Sequence, residues 1–374
     1  MKVLSICNLH DGPHLGPLTK HHPLGIVTFL GRYGLMDFTL SNFSNSGLDK
    51  VAILAEQNTR EIHSHLRNGN VWINNTRTGW QTILHNSTSV SASLKFNTDI
   101  NNVLANIDFF EENNDIEYVV VAPPFFLTPL DFRDVLSSHV KSGKEVTLVY
   151  KHTNEANEKF INCDSVKVDK ENSLIQSFGI NSGTKKNNDI SLETFVFNYE
   201  TFMKIVRMTK EVSSLFTLRK MVDYCLQEKI IEINAFETKE VVLPILSLNT
   251  YVDESMKLLD YENRLKLFKD DWPIYTTTHN TPPTLYGAKA DVKHSFIANG
   301  SIINGKVENC IISRGVKIGK GSVVKNSILF YRTEVGDGVT LDNVVTDKRV
   351  KVKEIKNIEG KKDEVFFIEL GAKV

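Results

Sequence analysis

The residues with chemical potential crowd the first third of the chain. His10, His14, His21 and His22 lie close together in sequence. Imidazoles in such a group could ligate a transition metal. They lack a regular helical i, i+4 arrangement, so a solvated loop is the plainer reading. Lys20 and Arg32 could hold a phosphate-bearing ligand or serve as ordinary surface charge. Asp37, Ser41, Asn42 and Asn45 are types that cap helices and brace turns more often than they react. Trp72 and Trp80 flank Asn74, Asn75 and Arg77. Aromatic rings in such a stretch could stack on bases, but no basic stripe accompanies them, which argues against nucleic acid.

The elements that must position these groups can be read from periodicity. Apolar runs at 3–7, 51–55, Tyr118–Ala122 and 146–150 have the length and branched content of strands buried on both faces. Between them, Ile62 and Leu66 sit one helical turn apart, and Val103, Ile107 and Phe110 form one stripe after a polar Asn101-Asn102 start. This alternation predicts an α/β domain with a largely parallel sheet over residues 1–245. A helical pattern at about 250–268, carrying Met256, Leu259 and Leu267, and a Pro/Thr-rich extended linker at 272–283 fill residues 246–285. From 286 to 374 the texture changes. Aliphatics recur every six residues at Ile312, Ile318 and Val324, and again at Val335 and Leu341. That period predicts a parallel β-helix, with one slip at a corner near Tyr331-Arg332.

Composition bounds the rest. The 374 residues carry a formal net charge of −1 and 24% charged residues. Bulk charge therefore gives no reason to expect nucleic acid or an anionic membrane as partner. No apolar run is long enough for a membrane span or a signal peptide, so the cytoplasm is the expected compartment. Cys7, Cys163, Cys225 and Cys310 are widely separated, which fits buried free thiols better than a zinc or redox motif.

Gly16-Pro17-Leu18-Thr19-Lys20, Phe29-Leu30-Gly31-Arg32-Tyr33, Met36-Asp37-Phe38-Thr39-Leu40-Ser41-Asn42 and Asn45-Ser46-Gly47 resemble the N-terminus of the glucose-1-phosphate adenylyltransferases. The resemblance covers almost the whole chain. It is specific in the first 50 or so residues and in the β-helix, and weaker from 150 to 245. It implies a Rossmann-like nucleotidyltransferase domain followed by a left-handed parallel β-helix. Enzymes of that family hold a nucleoside triphosphate on a Gly-rich loop, bind Mg²⁺ through carboxylates and place a sugar phosphate in line with the α-phosphorus.

This chain departs from the family at each of those steps. The loop reads Leu9-His10-Asp11-Gly12-Pro13-His14, so side chains replace two glycines, Pro13 removes an N–H, and His14 stands for an arginine. The nucleotide segment is Thr98-Asp99-Ile100-Asn101-Asn102-Val103, with Asn101 at its acidic position. The metal-binding aspartate falls on Phe125, whose ring cannot coordinate a hard cation. The second metal aspartate falls near Pro244. The sugar-phosphate motif becomes Phe178-Gly179-Ile180-Asn181, with Asn181 where a charged partner is needed, and the later glycine becomes Glu193.

Kept landmarks such as Asp108 and Asp131-Phe132 hold the register. The pattern is most similar to the non-catalytic GlgD-type subunit of glycogen synthesis. Such a subunit would work as partner to a catalytic glucose-1-phosphate adenylyltransferase in a hetero-oligomer, expected as a tetramer. It would need no cofactor of its own, with ATP and Mg²⁺ used by the partner. Lys20, Arg32 and Asp99 are the candidates for a residual nucleotide or a sugar-phosphate effector. Two other readings stay open: an active nucleotidyltransferase with relocated metal ligands such as Asp99 or Asp131, and a stand-alone metabolite sensor. Pro123-Pro124-Phe125-Phe126 would either plug the vacated cleft, the favoured reading, or expose an apolar patch.

Overall fold

A computed structural model describes residues 1–56, 59–67, 71–86, 97–113 and 115–374. The N-terminal part is built on a nine-stranded sheet. Trp80–His85, Lys50–Ala55, Val3–Asn8 and Tyr118–Ala122 run parallel in that spatial order. The sheet then continues through Asn188–Asn198, Val146–Thr153, Ile233–Glu237, Leu174–Ile180 and Asp164–Asp169. The four apolar runs are strands, as their composition predicts. The sheet is mixed rather than largely parallel, because Asn188–Asn198 pairs antiparallel with both of its main neighbours. That strand alternates less regularly in sequence and gives no hint of its direction.

The helices start where capping chemistry allows. Helix α1 (Leu35–Asn45) opens with the Asp37 carboxylate accepting from Gly34 N at 2.8 Å. Helix α2 (Thr59–Leu66) presents Ile62 and Leu66 to the core. The single helix expected over 103–112 is two. Helix α3 (Asp99–Ala105) starts at the Thr98 cap, the chain kinks at Asn106, and α4 (Ile107–Glu112) follows. The Asn106 amide folds back onto Asn102 O at 2.9 Å, a local bond that competes with helix continuation. Helix α5 (Phe132–Ser142) begins on the Asp131 cap and ends at Gly143 with φ 62°. Helices α6 (Tyr199–Val212) and α7 (Leu218–Gln227) cover the other sheet face. The pattern at 250–268 also divides, into α8 (Leu248–Lys257) and α9 (Tyr261–Leu267), because Asp260 caps a new helix.

After Leu285 the chain winds through three five-stranded parallel sheets that form the faces of a left-handed β-helix. Coil length varies. Ile302 and Lys317 pair 15 residues apart, Lys317, Glu334 and Lys351 follow at 17, and Val345 and Phe367 are 22 apart. The single slip expected from sequence is therefore not single: each of these coils departs from three six-residue units. One corner is a column of left-handed residues, Asn309, Asn326 and Asn343, with φ of 51°, 46° and 52°. Asparagine tolerates this region better than other side chains and can pair along the column. Asn309 Nδ2 donates to Asn326 Oδ1 at 3.3 Å, and Asn326 Nδ2 to Asp342 Oδ1 at 2.8 Å. Arg332 occupies another corner with φ 57°, at the corner read from sequence. Asn326→Ala should cost about 1–2 kcal/mol through the lost ladder bond and the φ penalty. A shift in thermal midpoint measures this, and Asn326→Gly should recover about half.

The β-helix shares one apolar core with the N-terminal part. Leu18, Phe29, Tyr251, Ile311, Ile328, Phe330 and Val345 belong to a single buried cluster. The Tyr251 ring lies 6.2 Å from both Phe29 and Phe330. Gly31 meets the β-helix backbone so closely that a Cβ there would lie 3.0 Å from Ile312 O. The 273–283 stretch forms neither helix nor strand, and its first residues lie along α1. Tyr275 N donates to Ser41 Oγ at 2.8 Å, and Asn45 Nδ2 donates to Pro273 O at 2.9 Å.

Candidate functional site

Strand order reverses around Val3–Asn8, which has Lys50–Ala55 on one side and Tyr118–Ala122 on the other. The carboxyl ends of strands at such a switch point form the ligand crevice of open α/β sheets. Three segments converge here, and part of the crevice is filled by hydrocarbon. Phe125 is 3% exposed and Phe126 6%. A Cβ on Gly12 would lie 2.7 Å from Leu24 Cδ2 and 3.5 Å from Phe125 Cδ1, so the loop rests directly on these side chains. Phe126–Leu127 pairs antiparallel with Leu243–Pro244, and Ile245 N donates to Phe125 O at 2.8 Å. Phe125, and Pro244, near which the resemblance put the second metal aspartate, are thus neighbours in space, and both are apolar. Pro123-Pro124-Phe125-Phe126 is packed inside the protein and is not an exposed patch. Helix α1 braces it: Thr39 Oγ1 donates to Pro123 O at 2.9 Å and Asn42 Nδ2 to Thr128 O at 2.8 Å.

Beside this plug lies a polar cavity of about 310 Å³ lined by Asn8, His10, Asp11, Asp99, Glu193 and Lys220 among others. Asp99 is buried and fully engaged. It accepts from Ile100 N at 2.7 Å, Leu218 N at 2.9 Å and Asn8 Nδ2 at 2.9 Å. Burial, together with Asp11, pushes its carboxyl up to about 6. Burial and the neighbouring Asp99 and Asp11 push Glu193 up to about 7. Glu193 has φ 50°, a conformation a glycine adopts freely and a glutamate does not. Asp11, Asp99 and Glu193 crowd one another here, and Lys220 and Arg219 also stand on the cavity wall. Asp131 does not line it. That carboxylate caps α5 and is held by Arg133 Nη2 at 2.6 Å.

A third feature sits where the two parts of the chain meet. A cavity of about 470 Å³ is lined by Arg32, Tyr33, Arg264, His279, Phe296 and Arg314 among others, and no carboxylate is among its lining residues. Burial, reinforced by Arg32 and Arg67, holds the Arg314 guanidinium below its ordinary range. His279 is likewise held down, by burial and then by Arg314 and Arg67. Crowded cations, only partly offset by the Asp37 carboxylate near Arg314, favour an anionic ligand.

The remaining sequence candidates are structural. Lys20 makes an exposed ion pair with Glu369 of the β-helix at 3.0 Å. Asn101 Nδ2 donates to Ser214 O at 2.7 Å. Asn181 is buried and ties its loop to Ala156 O and Phe160 O, both at 2.7 Å. Two of the four clustered histidines contradict the solvated-loop reading. His10 is 3% exposed and contacts Asn102 Nδ2 at 2.9 Å, and burial lowers it to about 4. His22 is buried between two carboxylates. His14 and His21 are exposed. Sequence reasoning missed Arg264, His279 and Arg314, which lie in segments with no local signature. It flagged Glu193 as a lost glycine but not as a wall of the cavity.

A nucleotidyl transferase family model matches residues 11–228, and the chain belongs to that family. A GlmU-like C-terminal hexapeptide model matches residues 284–365. The particular relatives are named glucose-1-phosphate adenylyltransferase. One from Geobacillus stearothermophilus is 29% identical over 84% of this chain and 81% of its own length. One from Clostridium perfringens strain SM101 is 26% identical over 87% of this chain and 83% of its own. One from Bacillus cytotoxicus is 25% identical over 96% of each. Among the described residues no helix is long and apolar enough to cross a membrane.

Proposed function

We propose that this chain is a non-catalytic, GlgD-type partner of a glucose-1-phosphate adenylyltransferase, serving glycogen synthesis by modulating a catalytic subunit. The observation that carries this reading is Phe125. It packs beneath the Gly12 loop and beside Pro244, where the resemblance requires metal-binding carboxylates. Metal neutralisation of the leaving pyrophosphate contributes several kcal/mol, and its loss alone suppresses turnover by orders of magnitude. ATP and Mg²⁺ then belong to the catalytic partner. Modulation is conformational: binding of this chain shifts the partner between states of different competence. The first coil of the β-helix offers one docking edge, with Leu285 62% and Tyr286 52% exposed.

The test is pyrophosphate release from ATP and glucose 1-phosphate with Mg²⁺, for this chain, for a catalytic homologue and for the two co-expressed. The expected result is silence alone and an altered rate or affinity in the mixture. Robust turnover by this chain alone overturns the reading.

The basic cavity at Arg32 and Arg314 supports a sugar-phosphate effector as part of the same proposal. Arg314→Ala should weaken binding of glucose 1-phosphate or inorganic phosphate to the isolated chain by roughly tenfold or more, the worth of one charge-assisted hydrogen bond. Titration calorimetry measures this, and unchanged affinity removes the effector from the proposal.

A further inference from the structure

We propose that His22 is a protonation-controlled clasp that locks the β-helix onto the α/β domain as imidazolium and loosens it as neutral imidazole. His22 is 6% exposed and lies at the junction. Its two ring nitrogens face carboxylates from opposite sides. Nδ1 is 2.9 Å from Glu61 Oε2 on α2, and Nε2 is 3.3 Å from Asp347 Oδ1, which follows the β-helix strand Val344–Thr346; this second contact is at ion-pair distance, and Nε2 makes no hydrogen bond among the described residues. Among the described residues the cation facing this group is Lys348, 3.5 Å from Nδ1 and 3.7 Å from Glu61.

An imidazolium has two N–H donors and can serve both carboxylates. A neutral imidazole has one. Glu61 is 40% exposed and also has Lys348, so it can do without the histidine. Asp347 cannot. Its side chain is 1% exposed and Oδ2 has no hydrogen-bond partner, while Oδ1 accepts from Lys348 N at 2.6 Å. Removing the proton therefore leaves a buried carboxylate without its counter-charge.

Burial by itself would depress the His22 pKa, and Lys348 adds to that depression. The attractions of Asp347 and Glu61 outweigh both, and the net direction is upward. The sign follows from linkage. A histidine raised in the docked state contributes stability that is fully present below its free value, about 6.5, and that is lost as pH rises through the raised one. The basic cavity has walls from both parts, Arg32 from one and Arg314 from the other, so loosening the clasp also reshapes it. The clasp operates whether or not the chain pairs with a catalytic subunit.

Hydrogen–deuterium exchange of the full chain tests this at two kinds of site. Exchange at the imidazole C2 carbon gives a titration midpoint for each histidine, and that of His22 should lie above 6.5. Backbone exchange of peptides covering 20–27 and 344–350, corrected for intrinsic rate, should rise several-fold between pH 6.0 and 8.5. His22→Gln should show fast exchange at both pH values, and Asp347→Asn should lower the His22 midpoint. A wild-type midpoint at or below 6.5 overturns the proposal, even if a variant fails to fold. An unchanged pH dependence in a folded His22→Gln overturns it equally.

Discussion

Phe125→Ala should lower the free energy of unfolding by about 3–5 kcal/mol, the range for a large aromatic removed from a packed interior. The ring is 3% exposed, lies 5.0 Å from the Phe126 ring and supports the Gly12 loop. Its removal opens a void that the surrounding strands, tied by Ile245 N to Phe125 O at 2.8 Å, cannot close. A guanidinium midpoint at constant slope measures this. Phe125→Asp should cost more and give no turnover, because a lone carboxylate beside Pro244 is buried without a partner. A loss under about 1 kcal/mol would show that Phe125 is not a structural plug and would weaken the argument that the crevice is committed to packing.

The second large effect runs in the stabilising direction. Glu193→Gly should raise stability by roughly 2–4 kcal/mol at pH 8. Two causes add. Glycine accepts φ 50° without strain. The change also removes a carboxylate whose pKa is pushed up to about 7 by burial and by Asp99 and Asp11. A carboxyl raised in the folded state is the stronger proton binder there. Its penalty is therefore absent below the unfolded value near 4.5, grows as pH rises, and is complete above about 7. At pH 4 only the backbone gain of about 1 kcal/mol should remain. Urea unfolding at pH 4 and pH 8 checks both parts. Equal gains at the two pH values would mean that the cavity carries no electrostatic strain.

Much of the fold was legible because its signals are local. The strands at Lys50–Ala55 and Tyr118–Ala122 are short apolar runs whose branched residues cannot be satisfied elsewhere. The six-residue aliphatic period reports the succession of β-helix faces directly: Ile312, Ile318 and Val324 lie on three different sheets. The misreadings occurred where a polar side chain had a choice of partner. Asn106 breaks a helix by bonding to Asn102, and Asp260 starts a new one. The repeated slip was hidden because its corner residues, Asn309, Asn326 and Asn343, look like ordinary polar loop positions until they stack.

The candidate site divides along the same line. The resemblance implied where the metal carboxylates would fall, and the sequence places Phe125 at one such position and Pro244 near the other, side chains that cannot bind a hard cation in any fold. Pattern also determined the two-part architecture, since strand–helix alternation and a six-residue aliphatic period cannot share one element. Only the tertiary structure decided what the surviving charges do. Lys20 became an interdomain pair, Arg32 joined Arg264 and Arg314 in a carboxylate-free cavity, Asp99 became a buried acceptor, and His22 met Asp347 more than three hundred residues away. The physical reason is that the strength and sign of a charge's interaction depend on distance and local dielectric. Both are set by which segments the apolar core brings together, and neither is written in the spacing along the chain.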